Sequence, residues 1–222
     1  MIQQVRAYPF AFALLSVTLL YNVGEGVIAI TSGLRSESIV LVSFGVDSYL
    51  EVLAAAAVIW RLSYRDDEAG ERAEGRALRF IGTTFLVLAC AVVLQSLAAL
   101  YQGEGASESR VGIALLVASL AIMPVLAIAK LRTAARDNLP ALAAEAKETV
   151  ACSYLSLTAL VGLVAVALFG SWWLDPLAAL LMVPWLVKEG LEGVKGEACF
   201  DGAKVCWCRQ CWWGLRTCTD AA

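Results

Sequence analysis

Six apolar runs, at residues 8–31, 38–60, 78–101, 111–130, 149–169 and 172–188, dominate this 222-residue chain. About 20 apolar residues suffice for a helix to cross the hydrocarbon core of a bilayer. Within that core only helices and closed barrels satisfy every backbone polar group. The runs therefore predict an all-α membrane protein, a six-transmembrane-helix bundle. The first run follows Arg6 too closely, and continues too far past any small-residue site, to read as a cleaved signal peptide, so it is expected to stay as a helix. Composition agrees, since only 17% of residues are charged and mean hydropathy is +0.73, whereas soluble domains carry about 25% charged residues.

Short connections at 32–37, 102–110 and 170–171 alternate with longer charged ones at 61–77 and 131–148. That is the pattern of a bundle of hairpins with both termini on one side. Of 17 lysines and arginines only Arg35 and Arg110 fall on the opposite side, and Arg61, Lys130 and Lys147 are counted with the majority. The positive-inside rule then puts both termini in the cytosol, which in a bacterial cell means an inner (plasma) membrane. Asp66, Asp67 and Glu68 alternate with arginines and read as a solvated loop. Asp175 before Pro176 reads as a helix N-cap with proline at the first helical position, preceded by the interfacial pair Trp172 and Trp173. Pro124 and Pro184 fall inside apolar runs and suggest kinks that neighbouring helices tolerate.

A net charge of −3 without a basic run argues against a nucleic-acid partner. With no histidine the chain lacks the commonest general base and metal ligand, and no nucleophile and base pair points to an enzyme. Any chemistry must come from carboxylates and thiols. Asp47 with Glu51, and Glu148 with Cys152, are spaced four apart in or beside the second and fifth runs. At that spacing both members of a pair share one helix face, so two facing helices can offer four ligands to one ion. An acid at membrane depth is costly and by default functional. The alternatives are a structural Asp47–Glu51 pair hydrogen-bonded to Ser43, Ser48 or Tyr49, and an interfacial Glu148 beside Lys147 with Cys152 as a small buried side chain. Asn22 and Glu25 in the first run, and Glu145 before Glu148, are candidates for supporting or proton-coupling groups; Glu145 also reads as an interfacial acid.

The segment SIVLVSFGVDSYLEVLAAAAVIWRLS, from Ser38 to Ser63, resembles the second transmembrane helix of the cation diffusion facilitator family. AEAKETVACSYLSLTALVGL, from Ala144 to Leu163, and the following WWLDPLAALLMVPWLVKEG resemble its fifth and sixth helices. The resemblance covers all six helices and implies that Asp47, Glu51, Glu148 and Cys152 are metal ligands and that the protein forms a homodimer. Cys152 stands where the family usually has aspartate, and no segment resembles the cytoplasmic ferredoxin-like domain of typical members. The chain is most similar to a short branch that includes bacterial cation transporters.

One thiolate with three carboxylates suits Zn2+, or Cd2+, Co2+, Fe2+ or Mn2+, better than Mg2+. Such ligands must lose protons to bind metal, so protons are the expected counter-ion and efflux from the cytosol by alternating access is the expected activity. Small residues at Ala54 to Ala57 and in the third run suit the close helix approach such motion needs. A scaffold or channel-modulating protein is the competing class. A transporter domain is expected over 1–196 and a Cys/Trp-rich tail over 197–222. Cys199, Cys206, Cys208, Cys211 and Cys218 are candidates for metal capture. A tryptophan-rich segment at the membrane surface or a palmitoylated cluster are the alternatives.

Overall fold

A computed structural model describes residues 8–35, 39–64, 68–103, 110–169, 173–195, 200–201 and 204–205. Among these lie six helices, α1 (Pro9–Arg35), α2 (Ile39–Arg61), α3 (Glu68–Gln102), α4 (Arg110–Asp137), α5 (Pro140–Phe169) and α6 (Leu174–Lys195). A two-rung antiparallel ladder, Phe200–Asp201 with Lys204–Val205, is the one departure from all-α structure among them. Among the described residues four helices, α1 to α4, are by length and composition alone able to cross a membrane. The other two carry charges toward one end.

Distribution of polarity supports the same reading. Leu20, Leu94, Val125, Leu168 and Leu181 face outward, while Thr18, Asn22, Glu25, Asp47, Glu51, Lys130, Glu145 and Glu148 are buried. Apolar atoms outside and ionisable groups inside are what a lipid solvent selects. The protein is an integral, multi-pass membrane protein with an all-α bundle.

The helices outrun the apolar runs. α3 begins at Glu68, α4 continues to Asp137 and α5 begins at Pro140, so the charged connections expected at 61–77 and 131–148 are mostly helix. Alanine, glutamate, lysine and arginine are strong helix formers, and hydropathy registers only the lipid-facing length. Between α4 and α5 only two residues remain. Asn138 takes a left-handed φ of 53°, and the Leu139 N–H returns to the Ala134 carbonyl at 3.0 Å. This is a Schellman-type stop, and Pro140, which has no N–H to leave unpaired, opens α5. Another correction concerns α6, which starts at Leu174 with the Leu177 N–H bonded to the Trp173 carbonyl at 3.3 Å. Pro176 is thus third in the helix, still within the turn whose N–H groups have no intrahelical acceptor. Pro124 and Pro184 lie inside α4 and α6, both of which remain single helices.

Three close helix pairs build the bundle: α1 with α2, α4 with α5, and the non-consecutive α3 with α6. In the last pair a Cβ on Gly82 would meet the Val194 nitrogen at 2.5 Å and the Gly190 oxygen at 2.7 Å, so backbone packs on backbone. Gly26 and Gly45 play the same part between α1 and α2, where a Cβ on Gly45 would meet the Gly26 oxygen at 3.0 Å. Glycine makes these approaches, and the small residues Ala54, Ala55, Ala77 and Ala89 are buried in the core beside them. Arg61, at the end of α2, ion-pairs with Glu74 of α3. Glu74 also accepts the Ala141 N–H at 2.6 Å, capping α5 from a neighbouring helix. Facing residues such as Glu25 with Ser48, Lys130 with Thr149 and Tyr154 with Ala178 show consecutive helices running antiparallel. Tyr8 and Lys195 therefore lie at the same end.

Candidate metal site

Helices α2 and α5 meet near the centre of the bundle. Their four-residue spacing turns Asp47 and Glu51 on one, and Glu148 and Cys152 on the other, into the interior, where all four are less than 8% exposed. Thr149, between Glu148 and Cys152 in sequence, donates its hydroxyl to Glu51 Oε1 at 2.5 Å. Glu148 has Thr84 of α3 beside it, but that hydroxyl donates to the Ile81 carbonyl at 2.6 Å. Lys147 turns away to Glu189 of α6 at 2.5 Å and leaves Glu148 without its neighbour's charge.

Asp47 Oδ2, Glu51 Oε2, Glu145 Oε2 and both Glu148 oxygens are buried without a hydrogen-bond partner. Carboxylate oxygens so placed need a cation or a proton, since an unpaired buried charge is too costly to persist. Three carboxylates and a thiol are the chemistry of a borderline divalent ion. Among the described residues no three of these groups are drawn in as tightly as a finished coordination shell requires. Glu51 is held on the α4–α5 side by Thr149 and, at 3.7 Å, by the Lys130 ammonium.

Lys130 is the residue that sequence reasoning assigned elsewhere. Counted there as a charge of the cytosolic connection, it is fully buried inside α4. Its Nζ donates to Glu145 Oε1 at 2.6 Å and to Thr149 Oγ1 at 2.8 Å. Glu145 is correspondingly an interior acid and not an interfacial one. The available signal was Lys130 closing an apolar run just before a turn of Asn138, Leu139 and Pro140, which folds it back onto residues 145 to 149.

The other candidate groups are buried on α1. On α1, Glu25 accepts from the Tyr21 hydroxyl and from Ser48 Oγ, each at 3.0 Å. Ser48 thus serves Glu25 rather than tying down Asp47 or Glu51, the alternative that the sequence offered. Asn22 is fully buried and both its amide atoms lack partners. Ser119 of α4 faces the Tyr21–Glu25 pair. The candidate tail ligands Cys199, Cys206, Cys208, Cys211 and Cys218 lie outside the described residues.

A cavity of about 220 Å³ reaches the Asp47 side of the cluster. It runs between the early part of α2, the late part of α3, α5 beyond Leu155 and the start of α6, with Ser43, Gln95, Ser96 and Thr158 among its lining groups. These are the helix ends remote from both termini. Glu145 and Lys130 sit on the other side of the cluster, toward the end that carries Arg61, Glu74 and Lys147.

No curated protein matches the chain. The family model described as the cation efflux transmembrane domain matches residues 15–195, which takes in α1 from Leu15, all of α2 to α6 and every candidate ligand within them. That match spans most of the sequence, and the chain belongs to the cation efflux family of membrane metal-cation transporters.

Proposed function

We propose that the protein carries Zn2+, or a similarly borderline divalent ion, out of the cytosol in exchange for protons, with Asp47, Glu51, Glu148 and Cys152 as the ligands of the transported ion. The observation that supports this reading is the burial of all four side chains on α2 and α5, two helices that pack together, with carboxylate oxygens on Asp47, Glu51 and Glu148 that no protein group satisfies. Thiolate and imidazole are the ligands that favour zinc over magnesium, and Cys152 is the soft group present. Because carboxylic acid and thiol must ionise to bind metal, metal and protons compete for one site, which couples their opposite movements. The lysine and arginine bias supports cytosolic termini, so the cavity at Asp47 is the release path to the far side. The transporter works as a homodimer, with residues 1–196 as the transporter domain and 197–222 as an accessory tail, whose cysteines capture metal in the cytosol.

Reconstituted protein should take up zinc into liposomes and move protons the other way, read by a metal-sensitive and a pH-sensitive dye. Asp47→Ala and Glu51→Ala should each abolish uptake while leaving folded, membrane-inserted protein. Wild-type uptake by either variant would reject the ligand assignment, and zinc uptake without proton movement would reject the coupling. Mass measurement of the solubilised protein tests the homodimer.

A further inference from the structure

α5 carries two stripes on adjacent faces. Glu148 and Cys152, four residues apart, share one buried face, whereas Glu145 and Thr149 turn toward Lys130 of α4. Glu51 of α2 stands where the stripes meet. Its Oε1 accepts from Thr149 and lies 3.7 Å from the Lys130 ammonium. Lys130 is therefore placed between a proposed metal ligand, Glu51, and an acid outside the ligand set, Glu145, which it reaches at 2.6 Å.

An ammonium and a divalent metal ion on the same carboxylate repel each other strongly where water is excluded. A buried ammonium, in turn, persists only with a counter-charge. We propose, on the basis of the metal-site reading above, that the Lys130 ammonium is a tethered counter-ion for Glu51, shared through Thr149 when the metal is gone and surrendered to Glu145 when metal binds. Glu145 makes the surrender possible, since it holds the ammonium whether or not Glu51 is available. Such an internal cation lowers the site's affinity for metal and so favours release. Lys130 is then a positioning residue that acts on the metal through Glu51.

The test is zinc binding to the full-length purified protein, together with the half-saturating zinc concentration and maximal rate in liposomes. Lys130→Met should bind zinc at least about tenfold more tightly, as expected for removing a unit charge a few ångströms from a dication, with a lower half-saturating concentration and a lower maximal rate. Lys130→Arg, which keeps the charge, should restore wild-type affinity. Lys130→Met leaves Glu145 unpaired, so the double variant Lys130→Met with Glu145→Gln provides the same readout without a stranded charge, and it too should bind more tightly than wild type. Unchanged or weaker binding by the folded double variant would overturn the proposal. Glu51→Gln separates the two ideas. If it binds and transports zinc as wild type does, the metal-site reading fails. If it loses binding while the lysine variants keep wild-type affinity, the counter-ion alone fails.

Discussion

Gly82 of α3 lies against Gly193 of α6 so closely that a Cβ on Gly82 would stand 2.6 Å from the Gly193 carbonyl carbon. No side chain can yield there, because the obstructing atoms are backbone. Gly82→Ala and Gly193→Ala must push the helices apart, and overpacking of this kind costs about 1–3 kcal/mol. Gly190→Ala should cost less, since its nearest obstacles are the Leu86 side-chain atoms at 2.7 Å, which can rotate. Gly24 and Gly75 have nothing within 4 Å of a built Cβ, so alanine there should stabilise by about 0.5–1 kcal/mol through its helix preference. Thermal unfolding of the five variants in one detergent checks the order, and equal losses at Gly75 and Gly82 would contradict it.

Cys152 is the soft member of the candidate ligand set. Cys152→Asp keeps an anionic ligand on the same helix face and should keep transport, while shifting preference from cadmium toward harder ions. Parallel uptake assays with cadmium, zinc and manganese measure the shift. A cadmium-to-zinc ratio identical to that of wild type would mean that Cys152 does not touch the ion.

Glu74 joins three helices, pairing with Arg61 at the end of α2 and accepting the Ala141 N–H at the start of α5. Glu74→Ala removes a charged acceptor from both, and a hydrogen bond to a charged group is worth about 1.5–3 kcal/mol. The expected result is a lower unfolding temperature with zinc affinity retained, because the site residues lie further along α2 and α5. Loss of zinc binding in folded Glu74→Ala would instead show that this staple sets the geometry of the site.

The cysteine-rich tail is proposed to feed the transmembrane site. Truncation after Glu197 should then leave the rate at saturating zinc unchanged and raise the zinc concentration that gives half of it. Identical titrations of truncated and full-length protein would remove the capture role. Loss of transport at every concentration would make the tail part of the transporter itself.

Sequence alone determined the class of solvent and the helical period. Six apolar runs required an all-helical membrane bundle because lipid satisfies no backbone group, and the four-residue spacing of Asp47 with Glu51 and Glu148 with Cys152 put each pair on one face by helix geometry alone. Tertiary structure decided which faces meet. Hydropathy stops at the edge of the apolar run, so it counted Lys130 with the cytosolic charges and left Glu145 open between a supporting and an interfacial acid, whereas strong helix formers carry α4 and α5 past that edge to a two-residue turn. That turn folds Lys130 onto Glu145 and Thr149, and the packing of α2 against α5 then brings Glu51 to the same ammonium. Contacts across three helices depend on where each chain reversal falls, which periodicity within a single helix does not encode.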